Sequence, residues 1–251
     1  NIEGDPRPDL LELVHAVRPD QCTLVPVRPG EITSQAGWPE DTPQAEMAGI
    51  VAALRGRGIR VSLFVDPLEA SIRWAASVGA DRVELYTEPF ARAFEQGPEA
   101  GQTSFASYVA ASELAHALGL GVNAGHDLDL ENLVLFRRLP HLDEVSIGHA
   151  LVSRALFVGL DRSVRDYLAV LAGTGLPKLD AALQTMAGET KRKVLEIVGE
   201  VGGTKALATV AAAARDWFAS SRSSARTAAG MAPASSVALS LSASPVAMRS
   251  P

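Results

Sequence analysis

Val122-Asn-Ala-Gly-His126 and Val145-Ser-Ile-Gly-His149 are the two stretches whose reading decides the fold. Each is a short apolar run with a β-branched residue, each ends in Gly-His, and each is followed at once by a helical pattern. Two successive strands then deliver an imidazole at their C-terminal ends. Beside each lies a glycine whose bare backbone lets a ligand come close. In α/β proteins that edge of the sheet is where chemistry sits.

The same unit recurs outward from this pair. Ile2-Glu-Gly4, Thr23-Leu-Val-Pro-Val27, Val61-Ser-Leu-Phe-Val65 and Val83-Glu-Leu-Tyr-Thr87 also read as short buried strands. They look continuous rather than alternating, as expected of parallel strands covered on both faces. Helical stripes fall between them. Asp41-Thr42-Pro43 opens one, with Met47, Ile50, Val51 and Leu54 on a single face and a stop near Gly58. Asp66-Pro67 opens another, with Leu68, Ile72 and Ala75 on its apolar face and Gly79 as its stop; Phe105, Tyr108, Ala111, Ala115 and Leu118 stripe a third, stopped by Gly119. Repeated strand-helix-strand units imply a parallel sheet with right-handed crossovers. Six such strands fit an open doubly wound sheet or part of an eight-stranded barrel. No Gly-x-Gly-x-x-Gly follows the first strand, which argues against a dinucleotide fold.

Composition suits an enzyme-sized domain: 251 residues, 47% hydrophobic, 21% charged. The net charge of −6 provides no basic field for nucleic acid. The single cysteine, Cys22, reads as a small core residue; one thiol excludes an internal disulfide and suits the cytoplasm. No stretch is long and apolar enough to span a membrane, and no signal peptide is visible. Three regions are expected: a barrel-like domain over 1–172, a helical extension over 173–219, and an Ala/Ser-rich disordered tail over 220–251. The opening Asn1-Ile-Glu-Gly, without methionine, reads as a chain that lacks earlier strands.

Two carboxylates stand out inside strands, Glu3 and Glu84. A buried acid costs several kcal/mol unless it is paired or aimed at a site. In a barrel mouth, burial raises its pKa and makes it a usable proton-transfer group. The bland alternative is a carboxylate that only bonds neighbouring backbone. His126 and His149 are candidates by position, whereas His15, His116 and His141 read as solvated helix or loop residues. The glycines beside the two histidines and the helix start near Ala150 offer N–H groups to a phosphate.

These residues carry a resemblance. Asn1-Ile-Glu-Gly, Cys22-Thr-Leu-Val-Pro, Glu31-Ile-Thr33, Val61-Ser-Leu-Phe-Val-Asp66, Val83-Glu-Leu-Tyr-Thr87, the two Gly-His runs, Ser153-Arg-Ala155 and Gly159-Leu160 occur in order. Over residues 1–172 the chain resembles the pyridoxine 5′-phosphate synthases of vitamin B6 biosynthesis. The resemblance implies an α/β fold, a TIM (β/α)8 barrel. It is represented here by about its last six strands, with the first two and their arginines absent. It implies condensation of 3-amino-2-oxopropyl phosphate with 1-deoxy-D-xylulose 5-phosphate, releasing phosphate and water, with no metal or organic cofactor. It further implies a homo-oligomer when complete, a role hinted at by the helix bearing Trp74 and Ala75, and a chain that is inactive alone.

Position by position, Glu3 matches the family's general base, His126 its proton donor, and Glu84 a transition-state stabiliser. Thr33 matches a contact to the deoxyxylulose phosphate. Asp127, Gly148 and His149 match the binding place of the aminoketone phosphate. Asp127 stands where some members have glycine, and Val27 and Ser34-Gln-Ala-Gly-Trp38 also depart from the usual loop. Two other readings remain open: a metal-assisted aldolase or epimerase with Glu3, Glu84, His126 and His149 as ligands, and a non-catalytic interaction protein.

Overall fold

The computed structural model describes residues 1–27, 34–173 and the backbone of 238–240. Six strands follow one another in space as in sequence: β1 (Ile2–Gly4), β2 (Gln21–Leu24), β3 (Arg60–Val65), β4 (Arg82–Tyr86), β5 (Gly121–Gly125) and β6 (Leu142–Ser146). Every neighbouring pair is parallel. A three-residue strand β7 (Ala238–Ser240) continues the sheet beside β6. Three residues of the stretch expected to be disordered are thus paired. The helices expected over Leu179–Met186, Lys191–Val198 and Thr204–Phe218 lie outside the described residues. Among the described residues β1 and β7 are not joined, so the described sheet is a partial α/β barrel rather than a closed one.

Among the described residues eight helices lie between and after the strands: α1 (Pro8–Val17), α2 (Gln44–Arg55), α3 (Glu69–Ser77), α4 (Glu88–Glu95), α5 (Pro98–Ala117), α6 (Leu133–Phe136), α7 (His149–Val158) and α8 (Leu160–Leu171). The stripes read from sequence fall where expected in α2, α3 and α5. Two of their members do not: Leu68 caps α3 and is 59% exposed, and Leu118 just after α5 is 39% exposed. Trp74 and Ala75 are buried in the chain's own core, so they offer no surface for assembly. The Trp74 indole donates to the Thr42 carbonyl at 3.1 Å instead. Among the described residues no helix is long and apolar enough to cross a membrane.

The strands do alternate, contrary to the continuous pattern expected from sequence. Cys22, Leu24, Val61, Leu63, Val65, Val83, Leu85, Val122, Ala124 and Val145 share one core with the helices. Gly4 lies on that side too, since a β-carbon there would come within 3.1 Å of Leu10. The intervening residues Glu3, Thr23, Ser62, Glu84, Asn123 and Ser146 are buried and polar. Successive strand residues point to opposite faces, so these polar residues line the concave, axial side. The two faces were hard to separate in sequence because Phe64 and Tyr86 interrupt the polar file; with Val25 they form a small apolar cluster of their own. Cys22 sits on the core side, where burial pushes its thiol up to about 12. It is a packing residue, as expected.

Candidate active site

Glu3 in β1, Glu84 in β4 and His126 just after β5 come together on the axial face. Their ligand atoms all lie within 4.8 Å of one another. Parallel register produces this meeting: Glu3 is level with Thr23 of β2, and Glu84 is level with Phe64 of β3 and Asn123 of β5. Glu84 is fully enclosed. Its Oε2 accepts weak hydrogen bonds from Thr23 Oγ1 at 3.4 Å and Ser146 Oγ at 3.3 Å, while Oε1 accepts none from the described residues.

Burial, then the charge of Glu3, then that of Glu144, hold the Glu84 carboxyl well above the usual carboxylate range; the two hydroxyl bonds oppose this only in part. His126 is displaced the other way. Burial and the neighbouring His149 push its imidazole down to about 4, against a hydrogen bond with the Gly125 backbone. Its ring lies 4.5 Å from the Phe64 ring and edge-on to Tyr86 at 5.7 Å. Two groups whose environments drive their pKa values in opposite directions lie a few ångströms apart, an arrangement that can exchange protons with a ligand. The same three donors, two carboxylates and an imidazole, could also hold a divalent cation.

His149 is the first residue of α7, with Gly148 at the N-cap and no side-chain cap over the helix's free N–H groups. His149 and Asp127 are exposed, and Gly148 is half-buried. Thr33 lies outside the described residues. The loop after β2 is pinned to the sheet: Trp38 donates from its indole to the Leu24 carbonyl at 2.8 Å and from its amide to the Phe64 carbonyl at 2.9 Å. Gly37 makes this approach possible, because a β-carbon there would overlap the Val65 and Asp66 backbone.

The structure brings together three residues that the sequence singled out, and the polar and aromatic residues around them were not singled out. Thr23 and Ser146 hold Glu84, Phe64 and Tyr86 flank His126, and Thr87 and Asn132 hold the backbone that carries it. A polar residue two places from a strand acid, or opposite it in register, was the available signal for Thr23 and Ser146. For Thr87 and Asn132 there was none.

Comparison with known proteins identifies the family. The family described as "Pyridoxal phosphate biosynthesis protein PdxJ" matches residues 1–173. The "Pyridoxine 5'-phosphate synthase" of Cytophaga hutchinsonii is 50% identical over 172 residues, which cover 68% of this chain and 71% of that protein. The proteins of the same name from Porphyromonas gingivalis and Christiangramia forsetii are 47% and 46% identical, with the same coverage of both chains. The chain therefore belongs to the PdxJ family of pyridoxal phosphate biosynthesis proteins.

Proposed function

We propose that this chain carries the acid–base centre of a pyridoxine 5′-phosphate synthase. It would act on 3-amino-2-oxopropyl phosphate and 1-deoxy-D-xylulose 5-phosphate. The observation that carries the reading is the cluster of Glu3, Glu84 and His126 in a PdxJ-family barrel. Joining an aminoketone to a ketose and closing a pyridine ring is a sequence of condensations and eliminations. Each step moves a proton between carbon, nitrogen, oxygen and water, and none requires net oxidation.

The charge of Glu3 beside it disfavours ionisation of Glu84. Glu84, with its raised affinity for protons, keeps its proton and stabilises negative charge developing on a substrate oxygen. Glu3 then serves as the base. His126, neutral in the empty site, becomes a donor once a phosphorylated substrate brings negative charge beside it, since a nearby opposite charge favours the imidazolium. Gly148, His149 and the N–H groups of α7's uncapped first turn suit one phosphate, and family position assigns Asp127 to the same ligand. Thr33 is assigned to the deoxyxylulose phosphate by family position. No organic cofactor or metal enters this scheme.

The partial barrel leaves β1 with no neighbour on its outer side among the described residues. Full turnover by this chain alone is accordingly expected to be weak or absent. The test uses one substrate: exchange of carbon-bound hydrogen in 3-amino-2-oxopropyl phosphate for solvent deuterium, followed by NMR. The protein should accelerate exchange, and Glu3→Gln and His126→Ala should each lower it by about 10²–10⁴-fold. Exchange at the rate of buffer would overturn the reading. So would an equimolar divalent metal whose removal abolishes exchange, which would favour a metal-assisted barrel enzyme instead.

A further inference from the structure

We propose that Thr87 and Asn132 are positioning residues that clamp two successive left-handed residues, His126 and Asp127, and so fix the imidazole over Phe64 and beside Glu3 and Glu84. Its catalytic consequence rests on the function proposed above; the clamp itself does not.

The backbone supplies the first observation. His126 has φ 82° and Asp127 has φ 57°, adjacent and both in the region that L-residues avoid. Such conformations cost about 1–3 kcal/mol each and persist only where the surroundings over-determine them. The surroundings here are two side chains, one for each carbonyl. Thr87 Oγ1 shares its proton between the Gly125 carbonyl, at 2.6 Å, and the His126 carbonyl. Asn132 Nδ2 donates to the Asp127 carbonyl at 3.0 Å. Asn132 is itself held, its Oδ1 accepting from the Asp129 amide at 3.0 Å and its own amide bonding Asp129 Oδ1 at 2.9 Å. Thr87 is held by its amide on the Gly125 carbonyl at 3.0 Å. Both clamp residues are buried.

The second observation is what Thr87 gives up. It occupies the N-cap of α4, where a threonine oxygen ordinarily accepts from a free N–H of the first turn and stabilises the helix by about 1 kcal/mol. Here it makes no such cap. Its hydroxyl is turned across to the end of β5. A local rule broken in a buried position, in favour of strained backbone at the proposed catalytic histidine, marks a device for function rather than for helix stability.

The test reads the ring directly. NMR titration of the His126 imidazole should give a midpoint near 4 in the unaltered protein, where the ring is enclosed by Phe64 and Tyr86 and faces His149, Glu3 and Glu84. Thr87→Val keeps the shape and removes both bonds. It should release the ring toward solvent and raise the midpoint toward the ordinary value of about 6.5. Thr87→Ser should stay near the unaltered value. A Thr87→Val midpoint that does not move, or a Thr87→Ser midpoint that moves as far, would overturn the clamp.

Should Thr87→Val not fold, a double-mutant cycle at the other half decides. Asp127→Gly removes the strain of a positive φ. Asn132→Ala should therefore cost less stability in the Asp127→Gly background than alone, whereas equal costs would refute the clamp. Neither measurement uses substrate, so they stand if the proposed function fails. If it holds, Thr87→Val should slow deuterium exchange by about 100-fold with little change in substrate affinity, rescued by Thr87→Ser.

Discussion

The carboxylate of Glu84 occupies the space that a β-carbon on Gly125 would need. The next atoms, Ser146 Cβ at 3.0 Å and its carbonyl oxygen at 3.2 Å, close the remaining room. The glycine before His126 therefore serves the protein's own acid, not the approach of a ligand that its sequence suggested. Gly125→Ala should displace Glu84 from Thr23 and Ser146 and cost about 1–3 kcal/mol, as overpacking in a closed interior does. In a Glu84→Ala background the same substitution should cost clearly less. Urea denaturation of the four proteins checks this, and a penalty equal in both backgrounds would contradict the packing.

Acid should weaken the fold through His126. An ordinary histidine protonates near 6.5, and this one near 4. Between those values the unfolded chain binds a proton that the folded chain refuses. The stabilisation is thus complete above pH 6.5 and is lost as pH falls toward 4, amounting to roughly 3 kcal/mol at most. His126→Gln should flatten that part of the stability–pH curve. Parallel curves for the two proteins would show that His126 titrates normally.

Glu84 should act with the opposite sign. Its folded pKa lies above the unfolded value, so its contribution is fully present below about pH 4.5 and is lost as pH rises through the raised folded value. Glu84→Gln removes that loss. The variant should match the parent at low pH and become the more stable of the two as pH rises. A variant less stable at every pH would mean that the carboxylate is held charged.

One buried acid ties the last two described helices together. Asp166 in α8 is 1% exposed and binds Arg154 of α7 and Arg162 of its own helix, the latter at 2.9 Å. Asp166→Ala leaves Arg154 enclosed without its counter-charge and should cost about 3–5 kcal/mol. Arg162 is half-exposed, so Arg162→Ala should cost about 1 kcal/mol or less. Chemical denaturation distinguishes them, and equal losses would place the joint's stability elsewhere.

The parallel strand-helix order was legible because Val, Leu and Ile cluster in short runs between helical stripes. Glu3, Glu84 and His126 were legible because an acid inside such a run, or an imidazole at its end, has to be accounted for. The alternation of faces was not, because Phe64 and Tyr86 sit in the polar file and mask its period. α1, α4 and α8 also went unread. Leu13 and Val17 are exposed on α1, which blurs its apolar stripe. Thr87 and Asn132 gave no signal: a threonine before a helix and an asparagine in a polar loop look like ordinary caps, and only the fold reveals which carbonyls they reach. Thr33 and residues 174–237 lie outside the described structure.

The alternation within each strand separates two inheritances. Residues such as Leu63, Val83 and Val122 are answerable to the helices behind them, while Ser62, Glu84 and Asn123 are answerable only to what happens in the mouth. Adjacent codons thus answer to different selective demands. The chemistry of such a sheet can drift or be redesigned one axial residue at a time while the scaffold's hydrophobic text stays unedited. The exception is a position such as Gly125, where an axial acid has already written its shape into the next strand.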